Sequence, residues 1–356
     1  MNTKLLSFFF SIAQAATSTN FFSDGGKFNV TLTCETMDSN CRGIKHTFKL
    51  VTGFIENALL LKEQININAM YLWTIDGKPW ESNSTAGYGS SSDYLDNHEG
   101  ALYNYASSIL KQRGVFNKNP RLDDIKMYIN PATNFYFPSM FGKKQTSKQI
   151  GAIDVIGHEL IHGMGFASFI DKEADNSNLS PAIGVKESRK DGYVEMDFSV
   201  GVFDKFMYTE EDESIAQLIK KMNQENQVLR KYVGKSITLA PRHLKTMKKI
   251  ETYATKPMGL YFKLGTEKVY LETRSNTFDH EASLSHLDSS YRTTNDMLMT
   301  RTSRVGHGVH ERASNPSWMT SPFGSRTLGI LETIGYRLNK NPSFEKSLGG
   351  FMAKRH

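Results

Sequence analysis

The chain has 356 residues and a formal net charge of +6, from 43 Lys and Arg against 37 Asp and Glu. That length suits one large domain or two small ones. The charge is spread without a dense Lys/Arg block, so a nucleic-acid-binding role is not expected.

The chain opens as a secretory signal does. Lys4 precedes an apolar run from Leu5 to Ile12, and Ala13-Gln14-Ala15 supplies a small-residue cleavage site. The run is too short to span a bilayer, and no later stretch suits a transmembrane helix. Residues 1–15 are therefore expected to be removed and the protein to be secreted, extracellular and monomeric. Cys34 and Cys41 are the only cysteines. A local disulfide is expected in an oxidising compartment; the alternative is a thiolate that caps a metal in a latent precursor. Asn29, Asn83 and Asn178 each begin an Asn-x-Ser/Thr sequon, which fits an exported chain.

Phe28 to Thr33 alternates as a strand does. From Ile44 to Leu61, Phe48, Val51, Phe54, Ile55, Ala58 and Leu59 follow helical spacing. Ile65 to Trp73 is the next expected strand. Thr74 to Asn97, rich in Gly, Ser, Asn and Asp, is expected to be a surface loop. Ala101 to Gln112 is expected to be helical, with Leu102, Tyr105, Ala106 and Ile109 inward. Ile125 to Ile129 alternates as a strand, and Asn134 to Phe137 is a candidate edge strand. Thr146 with Gln149 suggests a capping box, followed by a roughly helical stripe of Ile150, Ile153, Leu160, Ile161 and Met164.

That helix carries His158-Glu159-Leu160-Ile161-His162, followed by Gly165 and Phe166. Residues four apart share a helical face, so both imidazoles can reach one metal ion. Glu159 then stands where it can take a proton from an activated water. Gly165 is placed to end the helix in a left-handed conformation.

Beyond Phe166, Asp171 to Asp191 reads as loop, Val194 to Phe206 as strand and Ser214 to Asn226 as helix. Leu260 to Phe262 and Val269 to Leu271 form an expected hairpin around Gly265. Gly324 to Tyr336 is a closing helix, and Leu338 to His356 a basic, loosely held tail. A catalytic zinc usually takes three protein ligands. Glu173 and Glu187 are candidates for the third. A His three residues after Gly165 would be another, but Ser168 stands there and is a poor ligand. More distant candidates are His280 and His286.

With these blocks assembled, the chain resembles the metzincin zinc endopeptidases, above all the leishmanolysin-type branch and related secreted microbial metallopeptidases. The likeness runs roughly from Ile125 to Tyr336. His158, Glu159, His162, Gly165 and Phe166 match the first segment, Ser285-His286 a Ser-His pair, Leu298-Met299 a Met-turn, and Leu328 to Tyr336 the closing helix. Thr300 replaces the Pro often found after that Met, and leishmanolysins carry many more cysteines.

The resemblance implies an α+β, zincin-like fold. An upper subdomain (16–166) would hold a twisted mixed sheet and the active-site helix. An insertion (167–279) and a largely irregular lower subdomain (280–340) would follow, then the basic tail (341–356). It also implies one Zn2+ held by His158, His162 and His286, Glu159 as the general base, Met299 as a hydrophobic floor, and a protein or peptide substrate. A non-catalytic binding protein on the same fold is the second reading, and Glu159 argues against it. The short His-Glu motif by itself also admits a hydrolase acting on something other than peptides.

Overall fold

The computed structural model describes residues 16–80, 85–98, 101–115, 123–137, 145–172, 179–188, 194–233, 245–273, 277–279, 282–301 and 323–342. The expected signal peptide, Asn83, Asn178, Glu173, His280 and the tail beyond residue 342 lie outside them, as does the side chain of Glu187.

The architecture is mixed α+β. Its centre is a five-stranded sheet in the order Thr17–Phe22, Phe28–Cys34, Ile65–Tyr71, Ile125–Ile129, Gly87–Ser91. The middle three strands are parallel, and each outer strand runs antiparallel to its neighbour. Alternation does its work here. Phe28, Val30, Leu32 and Cys34 are fully buried from one strand, as are Ile65, Ile67 and Ala69 from the next. Each of the buried Phe, Val, Leu and Ile side chains contributes about 1.5–3 kcal/mol relative to exposure.

The helix Ser39–Ala58 is the crossover between the first two parallel strands, and it buries Ile44, Phe48, Val51 and Ile55. Its start is set by Asp38, whose carboxylate accepts from the Cys41 N–H at 2.8 Å. Cys34, ending a strand, and Cys41, in the helix's first turn, stand at disulfide distance with S–S 2.12 Å. No cysteine is left free to cap a metal.

The helix Ala152–Gly163, called the motif helix below, packs beside this crossover helix and under the sheet edge. It starts later than the capping-box pattern suggests. The Thr146 N–H does donate to Gln149 Oε1 at 3.0 Å, but this closes an isolated turn. Ile150–Gly151 then forms a short parallel pair with Phe135–Tyr136 before the helix begins. The candidate edge strand at 134–137 is therefore a separate two-stranded ribbon, not the edge of the main sheet.

The true edge lies in the stretch expected to be loop. Gly87–Ser91 pairs with Ile125–Ile129, and Asp93–His98 forms a hairpin with Ala101–Ala106. The helix expected at 101–112 is thus strand to Ala106 and helical only over Ser107–Arg113. Strand pairing with 93–98 overrode the helical spacing. The expected strand at 194–206 breaks into Val194–Phe198, Val200–Gly201 and a 3-10 turn at Asp204–Phe206. The neighbouring loop carries strands at Ile170–Lys172, Leu179–Pro181 and Ile183–Ser188, so Glu187 sits on a strand.

The helix expected at 214–226 spans Ile215–Val233, and a further helix, Lys245–Ala254, was not expected. The hairpin around Gly265 is present as Leu260–Leu264 and Glu267–Tyr270. No helix of the described residues is long and apolar enough to cross a membrane.

The closing helix spans Ser325–Ile334. Its first turn is held by Asp296, whose Oδ1 accepts from the Thr327 N–H at 2.9 Å. Beyond it, Tyr336 buries its hydroxyl, which donates to the Met164 carbonyl at 3.0 Å at the end of the motif helix. The next residues are pinned rather than loose. The Asn339 N–H donates to the Ala58 carbonyl at 2.9 Å, and the Leu60 N–H to that of Arg337 at 2.7 Å.

Candidate metal centre

The motif helix ends as its glycine suggests. Gly165 takes φ +99°, its N–H donates to the His162 carbonyl, and the Phe166 N–H donates to that of Ile161. This paired closure is a Schellman motif. It turns the Phe166 carbonyl back to accept from His162 Nδ1 at 2.7 Å. Phe166 itself buries against Phe203, and Phe203 against Phe262, with ring centroids 5.1 and 5.0 Å apart.

His286 arrives from 124 residues downstream, buried like His162. Its Nδ1 donates to the Ala282 carbonyl at 2.9 Å. The buried turn Met297–Met299 approaches from another side. There the Leu298 carbonyl accepts from His158 Nδ1 at 2.6 Å, the Leu298 side chain lies over Gly157, and the fully buried Met299 accepts from the Leu287 N–H at 2.8 Å.

All three Nδ1 atoms face carbonyl oxygens, which can only accept, so each Nδ1 carries its ring's proton. The three Nε2 atoms are then bare acceptors. They face one another at 3.0, 3.0 and 3.3 Å. Three lone pairs converging with no proton between them repel, and a cation at their centre removes the conflict. A tetrahedral ion with bonds of about 2.0–2.1 Å to imidazole spaces its nitrogens by about 3.3–3.4 Å, close to what is seen. The donor set therefore fits a metal ion, and these three side chains form a group able to hold one. Carbonyl bonds to the distal ring nitrogen are what orient ligating histidines.

Electrostatics agree. Burial is the main cause that lowers all three imidazoles; the neighbouring rings add to it for His162 and His286, and His286 falls to about 3. The rings are thus neutral and ready to ligate at ordinary pH. Burial pushes Glu159 up to about 8, against a bond from the Gly89 backbone. A cation beside it would favour its carboxylate.

The two histidines of the sequence motif and the distant His286 are thus brought together, with Glu159 buried on the same helix. What sequence reasoning missed is the wall above them. The edge strand Gly87–Ser91 lies so close to the motif helix that a Cβ on Gly89 would sit 2.3 Å from the Glu159 carbonyl oxygen, and one on Gly87 3.0 Å from Val155 Cγ1. The signal was present as two glycines on one face of a short run, which marks close backbone approach.

The fold and the three-histidine group define an α+β protein with a candidate metal centre at a sheet edge. The chain belongs to the SPBPB7E8-like family, whose model matches residues 9–348. No curated protein and no solved structure matches it.

Proposed function

We propose that the protein is a secreted zinc endopeptidase with a metzincin-like fold, acting as a monomer on protein or peptide substrates. The observation that carries this reading is the convergence of three bare Nε2 atoms, two of them from the helix that also carries the buried Glu159. Zinc bound there would activate a water and polarise the scissile carbonyl.

The chain's own residues supply the rest. Neutral imidazoles, each oriented by a carbonyl, would hold the ion. Glu159, kept a carboxylate by the nearby cation, would take the proton of the attacking water and pass it to the leaving amine. The edge strand carries no further strand on its outer side among the described residues. An extended peptide can pair there and lie across the site, by strand addition. A structural metal site has no use for a carboxylate at position 159, which disfavours a purely binding role.

The test is digestion of casein by the purified protein, with and without chelator, beside Glu159→Gln. The parent should digest casein, and chelator should abolish it. Glu159→Gln should keep its zinc yet lose roughly 10²–10⁴-fold in turnover, the usual worth of a general base. Parental turnover in Glu159→Gln would sink the mechanism. Zinc binding with no hydrolysis of any peptide would favour the binding protein.

A further inference from the structure

Ser168 occupies the place where a compact motif would carry its third histidine, and it contacts the segment that supplies the distant one. Its N–H donates to Ser285 Oγ at 3.1 Å, immediately before His286. Ser168 is itself fixed from the insertion. The Asp204 carboxylate accepts from the N–H of the next residue, Phe169, at 3.0 Å, and the Ser168 hydroxyl accepts from the Ile170 N–H at 3.1 Å.

Asp204 is fully buried, and a Cβ on Gly201 would lie 2.4 Å from its Oδ2, so this junction has no slack. The ligand segment needs such support. Leu284, two residues before His286, adopts φ +68°, a left-handed conformation that side-chain-bearing residues disfavour. A strained backbone persists only where its surroundings determine it.

We propose that Asp204, Ser168 and Ser285 form an anchor that positions His286, so that the insertion sets the affinity of the metal site. The proposal rests on the zinc reading above. These are positioning residues, none of them a ligand. They account for how the chain keeps a third ligand with a serine at 168: the position that does not ligate instead fixes the strained segment that delivers His286.

The experiment is competition for zinc between the purified full-length protein and a chromophoric chelator, for the parent, Ser285→Ala, Ser285→Thr and Ser168→Ala. Melting temperatures of the metal-free proteins are measured alongside. Ser285→Ala should weaken zinc binding about tenfold or more, as loss of an outer contact at a metal site does, while the metal-free melting temperature stays at the parental value. Ser285→Thr, which keeps the hydroxyl, should restore affinity. Ser168→Ala retains the N–H to Ser285, loses only the bond its hydroxyl accepts from the Ile170 N–H, and should show a smaller loss.

Parental affinity in Ser285→Ala overturns the anchor and leaves the zinc site standing. An equal fall in metal-free stability without rescue by Thr also overturns it, reducing the bond to ordinary packing. A parent chain that binds no zinc refutes both the site and its anchor.

Discussion

Adding one methyl group at Gly89 tests whether the spacing between the edge strand and the motif helix is set by backbone contact. In Gly89→Ala the new Cβ would lie 2.3 Å from the Glu159 carbonyl oxygen and 2.9 Å from its carbonyl carbon and Cβ. None of these atoms is the far end of a flexible side chain. Relief to an ordinary contact of about 3.4 Å needs the edge strand and the motif helix to part by about 1 Å. Overpacking of this kind costs roughly 1–3 kcal/mol. The separation also disturbs the Gly89 bond to the Glu159 carboxyl. A misplacement of about 1 Å at reacting groups can cost on the order of 10²-fold in rate. Thermal denaturation and kcat/KM on a peptide substrate read the two effects. Serine at 90, one residue on, is a control: Ser90→Ala removes a hydroxyl and adds no bulk. If Gly89→Ala melts and turns over like the parent, the claim that strand and helix are in hard contact at Glu159 is wrong.

Other outcomes follow from the same geometry. His286→Ala should lose its metal on dialysis against a mild chelator that leaves the parent loaded, as read by metal analysis; retention would remove His286 from the ligand set. In the metal-free state, Glu159 binds its proton with a value raised from 4.5 to about 8. Its contribution to stability is therefore full below about pH 4.5 and lost as pH rises through 8. Glu159→Gln should gain on the chelated parent between pH 5 and 8.5 in thermal melts, and a gap independent of pH would contradict the burial argument. Cys34 and Cys41 close a loop with a separation of 7 residues, so Cys34→Ser with Cys41→Ser should cost on the order of 2–3 kcal/mol. Two reactive thiols in denatured, unreduced parent would refute the bond.

The two candidate ligands on the motif helix were legible because their chemistry is local. Helical spacing alone puts His158 and His162 on one face, and Gly165 announces the turn that the backbone makes. His286 depended on resemblance, since nothing in a sequence reports which distant histidine a fold carries inward. The strands Phe28–Cys34, Ile65–Tyr71 and Ile125–Ile129 were legible from alternation.

The edge strand was not. Gly87-Tyr88-Gly89-Ser90-Ser91 has loop composition because the helix beneath it leaves no space for side chains, and small residues serve both purposes. Likewise Leu102, Tyr105, Ala106 and Ile109 keep helical spacing, yet pairing with Asp93–His98 imposes a strand as far as Ala106. Nor can composition reveal the roles of Asp204, Asp296 or the Leu298 carbonyl, which arise from tertiary contacts.

The brace on His158 comes from Leu298, 140 residues later in the chain. Synthesis proceeds from the N-terminus, so the motif helix is made long before either His286 or the carbonyl that orients its first histidine. A nascent chain that has reached residue 280 carries a complete sequence motif and only two of the three imidazoles. Assembly of the triad thus waits until the segment from His286 to Leu298 has been made, and a fragment released before it cannot form the triad. The order of residues along the chain acts as a clock for the candidate metal centre.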